Sequence, residues 1–422
     1  MRLHLWRAWR HLQNSMLLKN SLYLMLATFS VAGFGFVFWI IVSWSYAASA
    51  IGLAATLLSV SNLLSILSLA GFDTTFIKFL PNAKKLKNAY ISTGFMVVGC
   101  ISIVLSFAFV LTLPLTSPNL AFVLTNTSYF IAFVFFTLVT SLNVLTNAIF
   151  LACRFAKDIF IINVIFSIVK VALPLLVSNG DVMTLFIVAG VSQLVGLLLS
   201  LLIIRVQIGY VFHFRIHKTI LREVKKYASS VYVASIFNLL PPTLLPLLVV
   251  QNLGAESAAY FYMAFTIATA LYTIVYSTMQ SVFAEGSHDE AALKLHLVKA
   301  LKLIGVLLVP AMSITVGLSS FILRLFGEQY AVKGSALLQL FALGALAVAA
   351  SSAMGAIFKV TKQLRSIIIM NIVYAGVILG ISYLFTAQFG IIAIGWAWLL
   401  GNLASAGTGF FLFLRQQNIL DR

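Results

Sequence analysis

Twelve separate stretches of this 422-residue chain are each apolar over the roughly 20 residues that a helix needs to cross a bilayer. They are Ser21–Trp44, Ala50–Phe72, Tyr90–Leu111, Tyr129–Phe150, Ile159–Val177, Met183–Ile204, Ser229–Val250, Ala258–Gln280, Leu301–Leu323, Ser335–Phe358, Ser366–Phe385 and Ile391–Leu414. The apolar character is continuous along each run, which excludes the alternation of a membrane barrel strand. In lipid a backbone must satisfy its own hydrogen bonds, so such runs fold as helices. Only 9% of residues are charged and 62% are hydrophobic, against about a quarter charged in soluble domains. A water-soluble enzyme, a nucleic-acid-binding domain and a disordered chain are thereby excluded.

The net charge of +17 has its explanation in where the cations lie. Of the 27 Lys and Arg residues, 24 fall in the termini and in every second loop. Arg324 and Lys333 are on the opposite side, and Lys170 lies inside a run. This positive-inside bias predicts a multi-pass protein of the cell (inner or plasma) membrane with both termini cytoplasmic. Residues 1–20 lack the apolar core of a signal peptide. Leu5, Trp9, Leu12 and Met16 instead share one helical face, predicting an interfacial amphipathic segment, with a mitochondrial presequence as the minor alternative. Cys100 and Cys153 read as buried free thiols.

The most basic loop, 205–226, lies at the midpoint of the chain and separates six runs from six. Ser49-Ala50-Ile51-Gly52-Leu53-Ala54 opens the second run, and Ser257-Ala258-Ala259-Tyr260-Phe261-Tyr262 opens the eighth as a faint echo. An even number of spans per half means that both halves enter the membrane the same way up. The expectation is an all-α fold with an N-terminal lobe over 21–212 and a C-terminal lobe over 213–422. A pseudo-two-fold axis along the membrane normal would relate them.

Ser49-x-Ile51-Gly52-Leu53, then Leu69-Ala70-Gly71-Phe72-Asp73 running to Phe79-Leu80-Pro81, resembles the second-span signature of the polysaccharide transporter family. Phe326-Gly327-Glu328-Gln329-Tyr330 is similar to its FGxxY-type turn. These are the oligosaccharide-lipid (O-antigen) flippases of the multidrug/oligosaccharidyl-lipid/polysaccharide flippase superfamily. The resemblance implies twelve helices in two lobes and flipping of polyprenyl-pyrophosphate-linked glycan to the outer leaflet. It also implies a lipid-linked glycan as partner, alongside other polysaccharide-assembly membrane proteins.

Polar residues inside spans mark function. At about 100° per residue, Asn163, Ser167, Lys170 and Pro174 form one narrow stripe on the fifth span. Thr140, Asn143 and Asn147 form a second on the fourth, which ends in Arg154, with Lys157 beside it at the mouth. On the eighth span Tyr262, Thr266, Thr269, Thr273, Tyr276, Ser277 and Gln280 all lie within about 60° of Tyr262. Hydroxyls and amides bind sugar hydroxyls, tyrosine rings stack on sugar faces, and Lys170 suits a pyrophosphate. The competing reading is hydrogen-bonded glue between packed helices, or, for Lys170, snorkelling to the surface. Pro241, Pro242 and Pro246 predict a broken or kinked seventh span, either a hinge or a static kink.

None of the ten acidic residues lies in a span interior, and Asp158 is placed to pair with Arg154. A drug or cation antiporter of the same fold, the leading alternative, would be expected to use an intramembrane carboxylate. A membrane glycosyltransferase or polymerase would need larger outer loops than the stretch 112–128. The His213-x-x-x-His217 pair has no carboxylate between its members and is not read as a metal site. No phosphate-binding glycine loop, metal site or cofactor is expected, and no enzymatic activity.

Overall fold

A computed structural model describes residues 16–83, 86–177, 180–288 and 292–420. Most of the expected interfacial segment therefore lies outside the described residues. No strand occurs among those described. The spanning helices are α1 (Met16–Ser45), α2 (Ala48–Ser68), α3 (Lys87–Thr116), α4 (Thr127–Cys153), α5 (Ala156–Leu176) and α6 (Val182–Ile203). Then come α7 (Lys218–Leu253), α8 (Ala255–His288), α9 (Leu293–Gly317), α10 (Glu328–Val360), α11 (Leu364–Phe389) and α12 (Ile392–Leu420). Each contains a stretch long and apolar enough to cross a membrane, twelve in all, one for every apolar run.

Short helices at Phe72–Phe79, Phe122–Thr125 and Ser319–Arg324 were not anticipated from the sequence, nor was a π-turn at Ile204–Ile208 that extends α6. Asn126 caps α4 by accepting from the Ser128 N–H at 2.9 Å, and Asp181 caps α6 by accepting from Thr184 N–H, also at 2.9 Å. At the other end of α4, Arg154 itself takes the left-handed conformation (φ 62°) that closes the helix. Asp158 accepts from Gln207 Nε2 at 3.2 Å, so the expected Arg154 partner is replaced by an amide on the extension of α6.

The two family-like motifs have structural jobs. In the first, Ala70 (φ 47°) and Gly71 (φ 84°) reverse the chain after α2. Glycine adopts this conformation without a Cβ penalty. The turn delivers Phe72 and Phe76 into a core with Tyr90, Ile149 and Phe150. Burial pushes the Asp73 carboxyl above its ordinary 3.8, partly offset by the backbone N–H groups of Thr74 and of Asp73 itself. In the second motif Gly327 (φ 126°) starts α10, and Tyr330 meets Tyr260 of α8 edge to face at 5.2 Å.

The chain divides into two compact units. One holds the residues through Ile41, Leu64–Pro114 and Ala121–Ser229. Ser102 and Ser141 share a hydrogen bond of 2.8 Å between α3 and α4, and Phe133 stacks on Phe186 between α4 and α6. The other unit holds Val42–Leu63, Leu115–Leu120 and everything from Ser230. Its centre is aromatic: Trp398 of α12 stacks on Tyr272 of α8 and meets Phe265, Phe341 and Tyr374.

Within this second unit the echoed sequences meet. A Cβ on Gly52 would lie 1.8 Å from the Ala255 carbonyl oxygen and 2.9 Å from the Ala259 nitrogen, so only glycine permits this approach of α2 to α8. Thr56 Oγ donates to Gly52 O at 2.7 Å and lies 3.5 Å from the Pro246 carbonyl. At the same end Trp44 Nε1 donates to Leu325 O at 2.8 Å, Asn119 Nδ2 to Val250 O at 2.8 Å, and Gln251 to the Thr116 carbonyl. All these contacts lie at the end opposite the basic loops. Helix α7 runs on through Pro241, Pro242 and Pro246, so of the expected break or kink it shows no break. Cys100 is exposed and Cys153 half-buried, which corrects the expectation that both thiols are buried.

Candidate functional site

Lys170 lies on α5, fourteen residues from one helix end and six from the other, or roughly 21 Å and 9 Å at about 1.5 Å per residue. Its Nζ sits 4.6 Å from the centroid of the Phe38 ring on α1. Phe38 is itself fully buried and packs edge to face on Trp39. The ammonium thus meets the negative face of an aromatic ring, and no carboxylate pairs with it among the described residues. Of its stripe, Ser167 and Pro174 are buried and Asn163 is half-buried. Arg154 and Lys157 are exposed at the end of the helix that carries the basic loops.

The α4 stripe is divided in its use. Asn143 is buried, and its Nδ2 donates to Gln193 Oε1 of α6 at 2.5 Å. That amide pair ties α4 to α6 through the Asn143 amide nitrogen. Thr140 is half-buried and back-bonds to Phe136 O at 2.8 Å. Asn147 is half-buried near the basic end.

Helix α8 is sided in the way its sequence suggested. Ala264 and Ala268 are fully buried, with Phe261, Phe265 and Tyr272 packed against α10 and α12 on the same side. On the other side Tyr262, Thr266, Thr269 and Thr273 are half-buried, while Tyr276, Ser277 and Gln280 are exposed. Thr269 and Thr273 satisfy their hydroxyl hydrogens on the carbonyls one turn earlier, at 2.7 and 2.9 Å. Their oxygen lone pairs remain available as acceptors. This face is the less buried side of α8.

Two partners escaped the sequence reading, Phe38 and Gln193. Phe38 is one of 35 phenylalanines, and nothing local distinguishes it. Gln193 is a lone intramembrane amide on α6, which was a usable signal. His213 turns its ring nitrogen Nδ1 onto the Val211 carbonyl at 2.7 Å, and no group of three metal-ligating residues occurs among the described residues.

Comparison with known proteins adds to this geometry. The profile of the family described as "Polysaccharide biosynthesis protein" matches residues 46–335. No curated protein sequence matches. Among solved structures, an inward-closed lipid II flippase MurJ aligns with a TM-score of 0.74 at 14% identity, over 92% of this chain and 87% of that one. An inward-facing multidrug resistance MATE transporter of the MOP superfamily aligns at 0.71 and 13% identity, over 92% and 94%. A MOP superfamily transporter from Pyrococcus furiosus, noted for the reverse polarity of its binding pocket, aligns at 0.62 and 14% identity, over 96% of both chains. The chain has the twelve-helix, two-lobe fold of these structures.

Proposed function

From the premise that this chain belongs to the polysaccharide biosynthesis protein family, we propose that it flips polyprenyl-pyrophosphate-linked oligosaccharide from the cytoplasmic to the outer leaflet. The observation that carries this reading is Lys170, a cation deep in a span with an aromatic face as its neighbour and no carboxylate partner among the described residues. A charge at such depth is costly to insert, about 2.5–3.5 kcal/mol at a helix centre, unless it has a use. The pyrophosphate of the cargo is the counter-ion it lacks. Arg154 and Lys157 attract that anion at the entrance, and the open face of α8 from Tyr262 to Gln280 meets the sugars. Asn163, Ser167, Thr140 and Asn147 supply further hydrogen bonds.

The charge distribution supports cytoplasmic termini. The contacts of Gly52, Trp44, Asn119 and Gln251 tie together segments of a single unit at the end opposite the basic loops. Pro241, Pro242 and Pro246 leave α7 short of backbone hydrogen bonds and are the place where it would bend. No step of this cycle makes or breaks a covalent bond. Glycosyltransferases and polymerases of the same assembly line are the partners that such a flippase serves.

The test is reconstitution in liposomes with a fluorescent polyprenyl-pyrophosphate oligosaccharide loaded in one leaflet. Appearance of the glycan to a membrane-impermeant reagent, dependent on the protein, supports flipping. Transport of cationic dyes with no movement of the lipid-linked glycan would establish the antiporter reading instead.

A further inference from the structure

A groove with a free volume of about 630 Å³ lies within the first unit, between α3, α4, the end of α6 and the connector that follows it. Volumes of about 300–1,000 Å³ are typical of ligand sites. Its walls are apolar, among them Phe95, Ile103 and Leu142, and one cation, Arg205, lines it. Arg205 stands in the π-turn Ile204–Ile208, is exposed, and its guanidinium has no hydrogen-bond or ion-pair partner among the described residues.

The connector 209–217 is fastened beneath α3. His213 N–H donates to Ser92 Oγ at 3.1 Å, His217 N–H to Thr93 Oγ at 3.2 Å, and Tyr210 Oη shares a hydrogen bond of 3.1 Å with Ser92. This strap holds Phe212 and Phe214 edge to face at 4.7 Å. Phe212 and Phe214 form the floor of the groove at the basic end, with exposed Arg215 and Lys218 in and just after the strap. On α4 the groove residues Leu138 and Leu142 lie on the side away from Thr140, Asn143 and Asn147, about 100–180° apart at helical periodicity. The groove is therefore turned away from the polar stripe assigned to cargo.

We propose that this groove is a site for a resident anionic phospholipid of the cytoplasmic leaflet, one acyl chain between α3 and α4 and its phosphate on Arg205. The proposal rests on the orientation proposed above and not on the identity of the cargo. Lipid tails are as apolar as the groove walls, so the chain alone gives no preference over bulk lipid. Selection falls to the headgroup, where Arg205, Arg215 and Lys218 favour a net negative charge.

Cys100 lines the groove and is exposed, which provides a native reporter. The full-length protein in detergent is labelled with N-ethylmaleimide, with modification of Cys100 followed by peptide mass spectrometry. Saturating phosphatidylglycerol should slow labelling severalfold, and phosphatidylcholine should not. Arg205→Gln should weaken the phosphatidylglycerol effect by roughly tenfold in concentration, the scale of one charge-assisted contact. As a second variant, Gly99→Phe fills the groove, since a Cβ there meets only Leu138 at an ordinary 3.5 Å. Native mass spectrometry should find one retained phosphatidylglycerol on the wild type and none on this variant. Equal protection by both lipids, or protection unchanged in Arg205→Gln, overturns the proposal. Protection by a polyprenyl monophosphate but not by phosphatidylglycerol also overturns it and assigns the groove to the cargo.

Discussion

A lysine ammonium over an aromatic ring gains about 2 kcal/mol when the pair is desolvated. That is comparable to its insertion penalty, so Phe38 explains how Lys170 is tolerated inside a span. The contact is also weak enough to yield to a doubly charged anion, as the proposed cargo would be. Lys170→Ala should reach the membrane at wild-type abundance and fail to flip, while Lys170→Arg keeps part of the activity. Wild-type flipping by the alanine variant would leave snorkelling as the better account of this residue. Asp181 is a structural counterpart outside the spans. Burial raises its carboxyl, but the Tyr129 hydroxyl and the N–H and hydroxyl of Thr184 outweigh this and hold it below its ordinary 3.8. A lowered carboxyl pKa contributes stability above the unfolded value, and that stability is lost as pH falls through the folded one. Asp181→Ala should destabilise the protein by about 1 kcal/mol at neutral pH, the usual effect of losing an N-cap. Asp181→Asn keeps the cap but should abolish the part of acid sensitivity that appears below pH 3.8, as followed by thermal unfolding from neutral to acid pH.

Helix α8 shows what an element's sequence discloses. Its alternation of small or aromatic packing positions with hydroxyls is a complete statement of two faces, because each face is set by residues of one segment. Thiols introduced as Thr269→Cys and Thr273→Cys should react with a water-soluble maleimide, and Ala264→Cys and Ala268→Cys should not. Equal inertness of all four would mean that the polar face is packed away. The twelve spans were legible for the same reason, since hydropathy over 20 residues is a local property. Asn143 and Lys170 were visible as polar outliers, but their partners Gln193 and Phe38 lie on helices distant in sequence, and periodicity on one helix cannot choose between them. The short helix Phe72–Phe79 hid because its apolar start ran on from the second span, and only the turn at Ala70-Gly71 separates the two. Gly52 was legible as part of a motif but not as a contact. Gly52→Val would drive a side chain into the Ala255 carbonyl, and overpacking of this kind destabilises by about 1–3 kcal/mol. A lowered thermal midpoint with unchanged insertion is the expected result.

For the whole molecule, the contacts at the end opposite the basic loops join segments far apart in the chain, and that makes a direct prediction about stability. Asn119 and Gln251 are exposed there, each bonded across to a backbone carbonyl. Joining Asn119→Cys to Gln251→Cys with a short bifunctional thiol reagent should raise the thermal midpoint, since the link ties two segments of one unit. An unchanged midpoint in fully linked protein would show that the rest of the unit already holds these segments together. The same architecture sets a schedule for the protein's birth. Residues 42–63 belong to a unit whose remaining bulk begins at Ser230. Gly52 is therefore synthesised about 200 residues before Ala255, the residue it packs against. At about 5–20 residues per second, the first halves of this packing wait roughly 10–40 s in the membrane for the second. During that interval the glycine surface of α2 is open to any passing helix, so whatever guards the nascent chain must hold it until α8 has been made.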